Sequence, residues 1–89
     1  MSLYSEDFEI NINPEEPLFV ISVVSDMVDI PIWTLRKLDQ MDIVCPQRRG
    51  KKTRCYSKKQ MDTLIYIRYL MVEKNVNISG IKVILEQDD

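Results

Sequence analysis

Apolar residues in this chain recur at two spacings, and the elements change where the spacing does. Val24, Met27 and Val28 fall three to four positions apart, the step that puts side chains on one face of a helix. Ser22 is placed to cap that helix and Asp29-Ile30-Pro31 to break it. Pro31 suits the start of a second helix, because its missing N–H would have had no partner there. Leu35 and Leu38 then face inward, while Trp33, Arg36, Lys37 and Gln40 share the opposite side. Two short helices separated by about three residues predict a helix-turn-helix, a unit whose second helix enters the major groove of DNA.

Beyond it, Ile43-Val44-Cys45-Pro46 and Arg54-Cys55-Tyr56 have strand-like composition on either side of Gly50, which predicts a β-hairpin with a basic tip. Pro46 would confine its strand to a sheet edge. Ser57-Lys58-Lys59-Gln60 reads as a capping box opening a long helix to about Lys74, with Met61, Leu64, Ile67 and Met71 as its core stripe. Asn75 ends that helix, and Asn77 or Ser79 caps a last one whose inner side is Ile78, Ile81, Ile84 and Leu85. The long helix is apolar on more than one side. Ile65, Tyr69 and Val72 form a second stripe, with Tyr66 and Leu70 further round; the stripe is either covered by the last helix and the N-terminal strand or is a partner surface. The fold class expected is mainly α: a winged helix-turn-helix of about four helices with a two-stranded β-hairpin wing. Residues 1–17 are rich in acids, Asn and Pro, and are expected to be a flexible acidic arm ahead of one domain at 18–87.

Charge sharpens this picture. The 89 residues carry a net −2, yet nine of the twelve Lys and Arg fall within 31–59 against two acids, Asp39 and Asp42, a local balance of +7. Residues 1–30 hold seven acids and no base. A short, dense positive stretch that coincides with a helix-turn-helix and a hairpin is the footprint of a polyanion-binding surface. Its bland alternative is a solvated face in which Arg36 and Lys37 pair with Asp39 and Gln40.

Composition narrows the chemistry. The chain has no histidine, no Gly-rich phosphate loop and no nucleophile–base pair, so it is expected not to be an enzyme and to hold no metal or cofactor. Two cysteines are too few for a disulfide framework, and with no long apolar run the chain is expected to be cytoplasmic, with no membrane partner. Cys45 and Cys55 flank the wing and could lie close across its strands. A redox pair there would need an exposed, low-pKa thiol, which neighbouring bases can supply; a free Cys more often behaves as a small buried hydrophobe.

Ile21-Ser22-Val23, Thr34-Leu35-Arg36, Ile43-Val44 with Pro46 and Arg48, Arg54 with Tyr56-Ser57, Leu64, Ile67 and the run from Ile78 to Leu85 together resemble the N-terminal DNA-binding domain of bacterial MerR-type transcriptional regulators. The Pro-Leu-Phe-Val-Ile-Ser-Val-Val opening and the Asn-Ile-Ser-Gly-Ile-Lys-Val-Ile-Leu close most resemble HspR-type heat-shock repressors. The resemblance implies a homodimer on an inverted-repeat operator, repression of a chaperone operon in a stress response, and in some lineages a chaperone co-repressor. It leaves open a MerR-like interaction module that modulates a chaperone or another protein. The DNA-contacting set expected is Trp33, Arg36 and Lys37 on the helix and Arg48, Arg49, Lys51, Lys52 and Arg54 on the wing, to which the resemblance adds Thr34 and Tyr56. Other MerR-type proteins carry a long dimerisation helix and an effector domain after this region, so the chain is expected to be a short member or a piece of a longer one. It departs from the family at Trp33, where a small polar residue is usual, at Leu38, where an aromatic is usual, and at Asp42, where a glycine usually ends the recognition helix.

Overall fold

A computed structural model describes residues 11–50 and 53–87. Strand β1 (Phe19–Val20) leads directly into helix α1 (Ile21–Val28), and helix α2 (Ile32–Gln40) follows. Strands β2 (Gln47–Arg49) and β3 (Thr53–Tyr56) form the wing, and helices α3 (Lys58–Val72) and α4 (Ile78–Gln87) complete the chain. β1 adds to the wing hairpin to make a three-stranded antiparallel sheet in the order β1-β3-β2, because Phe19 and Val20 pair with Tyr56 and Cys55 on the free edge of β3. That pairing carries the chain to Ile21 in extended form. Val20, not Ser22, is the residue before the helix, and no side chain caps it.

The first wing strand starts later than its composition predicts. Ile43 and Val44 pack inward as part of the loop leaving α2, and the ladder begins only after Pro46, at Gln47. An apolar pair reads as strand when it is in fact a core plug. β2 is an edge strand, but Pro46 stands before its ladder and does not impose this.

Three helix ends turn through left-handed residues, and none is glycine: Asp29 (φ 58°), Asp42 (φ 57°) and Asn75 (φ 55°). Asp and Asn are the side chains that tolerate this conformation best. At the end of α2 the result is a Schellman closure, Ile43 N–H donating to Leu38 O at 2.9 Å and Asp42 N–H to Asp39 O at 3.0 Å. At the end of α1, Asp29 and Ile30 both donate to Ser25 O, and the Ser25 hydroxyl donates back to Ile30 O at 2.6 Å. These bonds set the tight turn between α1 and α2.

The core joins every helix: Val24 and Val28 of α1, Leu35 and Leu38 of α2, Met61, Leu64, Ile67 and Leu70 of α3, and Ile81 of α4, with Tyr56 closing it from β3. Burying each of these side chains contributes roughly 1.5–3 kcal/mol. Leu70 takes the buried place expected of Met71, which is half-buried. Met27 is 58 % exposed, so the inner face of α1 is Val24 and Val28. Ser57 caps α3 in a complete capping box with Gln60, and Asn77 Oδ1 accepts from Gly80 N–H at 2.8 Å at the start of α4. The end of the expected acidic arm is a turn docked on this cap: Lys59 N–H, an orphan donor of the first turn of α3, bonds Pro14 O at 2.9 Å.

Candidate nucleic-acid interface

Helix α2 presents two faces. Thr34, Leu35 and Leu38 are buried, and Trp33, Arg36, Lys37 and Gln40 are exposed, with Trp33 at 72 %. The phase read from the sequence therefore places Trp33 on the surface, beside the cations. Arg36 and Lys37 make no ion pair among the described residues, and Asp39, their partner in the solvated-face alternative, is engaged by Arg54. Two unpaired cations and an aromatic on the outer face of the second helix of a helix-turn-helix can meet phosphates and base edges together.

Thr34 and Tyr56 belong to a different layer. Their side chains are 2 % and 1 % exposed, so neither offers a surface for DNA and both are corrected to core positions. Burial of the Tyr56 phenol, with the Asp39 and Cys45 charges adding and Arg54 opposing, pushes its pKa up to about 12. The ring closes the core beneath the wing.

On the wing, Arg48 and Arg49 are exposed beside Gly50, whose φ of 72° makes the turn. Lys51 and Lys52 lie outside the described residues. Arg49 Nη1 donates to Pro17 O at 3.3 Å. Arg54 Nη1 donates to Asp39 Oδ2 at 2.9 Å, so this wing cation is committed to α2 within the chain. Lys58 pairs with Asp62 at 3.2 Å and Lys59 with Glu15 at 3.5 Å, both on the outside of α3. A groove of about 410 Å³ runs between α2 and the wing, lined by Arg36, Asp39, Pro46, Thr53, Arg54 and Tyr56.

The cysteines do not face one another across the wing. Cys55 sits on the central strand opposite Gln47 and is buried, and Cys45 precedes β2. The Cys45 thiol is pushed up by burial, and further by its contacts with Asp39 and Asp42, whose charges act in the same direction. The neighbours that matter are acids, not the bases adjacent in sequence, and they oppose the thiolate a redox switch needs.

The second stripe of α3 is open. Ile65, Tyr69 and Val72 are 54 %, 44 % and 55 % exposed, and α4 covers the other side of the helix. Met27 of α1 joins Ile65 and Tyr69 along a shallow groove, whose far wall is Arg68. Arg68 clamps the helix-turn-helix turn, its Nε donating to Asp29 O at 3.1 Å and its Nη2 to Asp29 Oδ2 at 2.9 Å. Nothing in local sequence pairs Arg68 with Asp29; only the tertiary fold does. Among the described residues no helix is long and apolar enough to cross a membrane.

Comparison with known proteins agrees with this geometry. Residues 19–88 match the family model described as MerR HTH family regulatory protein. The chain is 31 % identical over 75 residues to a protein named as heat shock protein HspR in Streptomyces coelicolor, covering 84 % of this chain and 50 % of that one. It is 30 % identical over 69 residues to the HTH-type transcriptional regulator GlnR of Bacillus anthracis, covering 78 % of this chain and 53 % of that one, and the same figures hold for GlnR of Bacillus cereus. The chain thus spans about half the length of the curated relatives it matches.

Proposed function

The chain belongs to the MerR family of helix-turn-helix regulatory proteins, and from that premise we propose that it is a DNA-binding transcriptional regulator that grips an inverted-repeat operator as a dimer. The observation that carries the reading is the outer face of α2, where Trp33, Arg36 and Lys37 stand exposed on the helix that enters a major groove in this motif. Arg48, Arg49, Lys51 and Lys52 hold flanking phosphates from the wing. Likeness to HspR supports a chaperone-operon repressor, acting alone or with a chaperone co-repressor.

If about five cations per subunit reach phosphates, a dimer releases counterions from about ten, and log K should fall against log salt with a slope near −9. Fluorescence anisotropy against a chaperone-operon promoter duplex, with a random duplex as control, reads both slope and specificity. A slope of about −2 or shallower removes the basic-surface reading. Equal affinity for the two duplexes removes sequence specificity.

A protein partner is the second reading, favoured by the exposed stripe of Ile65, Tyr69 and Val72. Repeating the titration with Ile65→Asp separates the options: lost affinity assigns the stripe to the dimer, and unchanged affinity leaves it for another protein.

A further inference from the structure

We propose that Asp39 and Arg54 form a strut that fixes the wing against the recognition helix, making both of them positioning residues for DNA. The inference rests on the DNA-binding reading above. Arg54 lies in the middle of β3, directly opposite Arg48 on β2, and two like charges facing each other weaken a strand pair. The Arg54 guanidinium turns to α2 instead and meets Asp39 Oδ2 at 2.9 Å. Asp39 is the more enclosed partner, its side chain 27 % exposed against 53 % for Arg54. Its backbone is held as well, since Asp39 O accepts from Asp42 N–H at 3.0 Å within the closure of α2.

The strut spans a gap that backbone packing leaves open. Helix α2 packs on α1, whereas β3 packs on its neighbouring strands and on α1, and between α2 and β3 lies the groove walled by Arg36, Pro46, Thr53 and Val20. Arg36 stands one helical turn before Asp39 on that same wall. Any swing of the wing about its base therefore changes the distance between Arg36 and the wing-tip cations, the two surfaces that a duplex must meet at once. An acid beside phosphates lowers affinity when it does nothing else. Asp39 offsets that repulsion by holding the second surface in register.

Charge counting and the strut predict opposite signs for one substitution. Removing an acid from a DNA-facing surface should tighten binding; removing half of the strut should loosen it. Asp39→Asn, Arg54→Gln and the double variant are titrated by anisotropy against the tightest-binding promoter duplex, with thermal midpoints as the fold control. An exposed ion pair contributes little to stability, so the midpoints are expected to stay close to that of the unsubstituted protein. Asp39→Asn should weaken binding by roughly fivefold or more, and the double variant should be no weaker than Arg54→Gln alone, as for residues that act through one contact. On a duplex cut back at each end until the wing has no phosphates to reach, the Asp39→Asn penalty should vanish. Unchanged or tighter binding by Asp39→Asn, additive losses in the double variant, or a penalty that persists on the short duplex overturns the strut. If the unsubstituted protein binds no duplex, the DNA-binding reading itself falls.

Discussion

Gln60 joins the start of α3 to the entry of the wing, and replacing it with Glu separates two accounts of what it does. As a capping-box residue it needs only an acceptor: Gln60 Oε1 takes the Ser57 N–H at 3.0 Å, while Gln60 N–H donates to Ser57 Oγ at 3.1 Å. A carboxylate performs that task equally well, and beside the positive end of a helix dipole it adds about 0.3–1 kcal/mol. On that account Gln60→Glu is neutral or stabilising. The fold gives the other half of the amide a task too, because Nε2 donates to Cys45 O at 2.6 Å, across 15 residues of chain. A carboxylate has no proton for that carbonyl. Losing that donor leaves a part-buried carbonyl unsatisfied, which costs about 1–3 kcal/mol. After the dipole gain, Gln60→Glu should destabilise by about 1–2 kcal/mol, which for a domain of this size lowers Tm by about 5–10 °C.

Thermal unfolding followed by circular dichroism at pH 7 measures that shift. Gln60→Ala, which removes both bonds, sets the lower bound and should fall below Gln60→Glu. Acidification supplies an internal check: a protonated carboxyl donates again, so the Gln60→Glu penalty should shrink as pH drops through the carboxyl range. A Gln60→Glu midpoint at or above that of the unsubstituted protein at pH 7 refutes the bridging role and leaves the capping box alone.

Three further outcomes follow from single residues. Asp42→Gly should stabilise by roughly 0.5–1 kcal/mol in urea unfolding, because φ of 57° is strained for a side chain and free for glycine, less the entropy glycine loses on folding; a loss of stability would mean the Asp42 side chain holds the turn. Tyr56 has a folded pKa near 12 against about 10 when unfolded, so its contribution is intact below pH 10 and is lost as pH climbs from 10 toward 12. Tyr56→Phe should flatten the fall in stability over that window, and an unchanged slope would place the phenol in water. Cys45, held up by burial and by Asp39 and Asp42, should react with iodoacetamide at pH 8 more slowly than a free thiol in a short peptide, and equal or faster alkylation would reopen the redox switch.

What was legible in the sequence was whatever local spacing controls. The phase of α2, the capping box at Ser57 and the cap at Asn77, one of two residues the spacing offers, each depend on residues within four or five positions, and each was readable before the fold. The misses share a different cause. Ile43 and Val44 look like a strand because β-branched pairs are common in strands, but the closure of α2 turns them into the core. Ser22 looked like a cap because nothing local reveals that β1 pairs with β3 and delivers an extended Val20 to the helix start. Met27 followed the helical step of α1, but the apolar stripe of an eight-residue helix is narrow and α3 leaves that flank open.

The charged segment shows the same division more sharply, because counting treats every cation as equivalent and tertiary contact does not. Arg54 is taken by an acid 15 residues away, Arg49 leans on a carbonyl 32 residues away, and Lys58 and Lys59 meet Asp62 and Glu15. Of these partners only Asp39 lies within 31–59. Among the described residues Arg36 and Lys37 make no ion pair, and Asp39, the acid one helical turn beyond Arg36, is engaged by the wing. The local balance of +7 is thus a poor measure of charge offered to a polyanion. Asp39, which lowers that balance by one, holds Arg54 of the wing against α2.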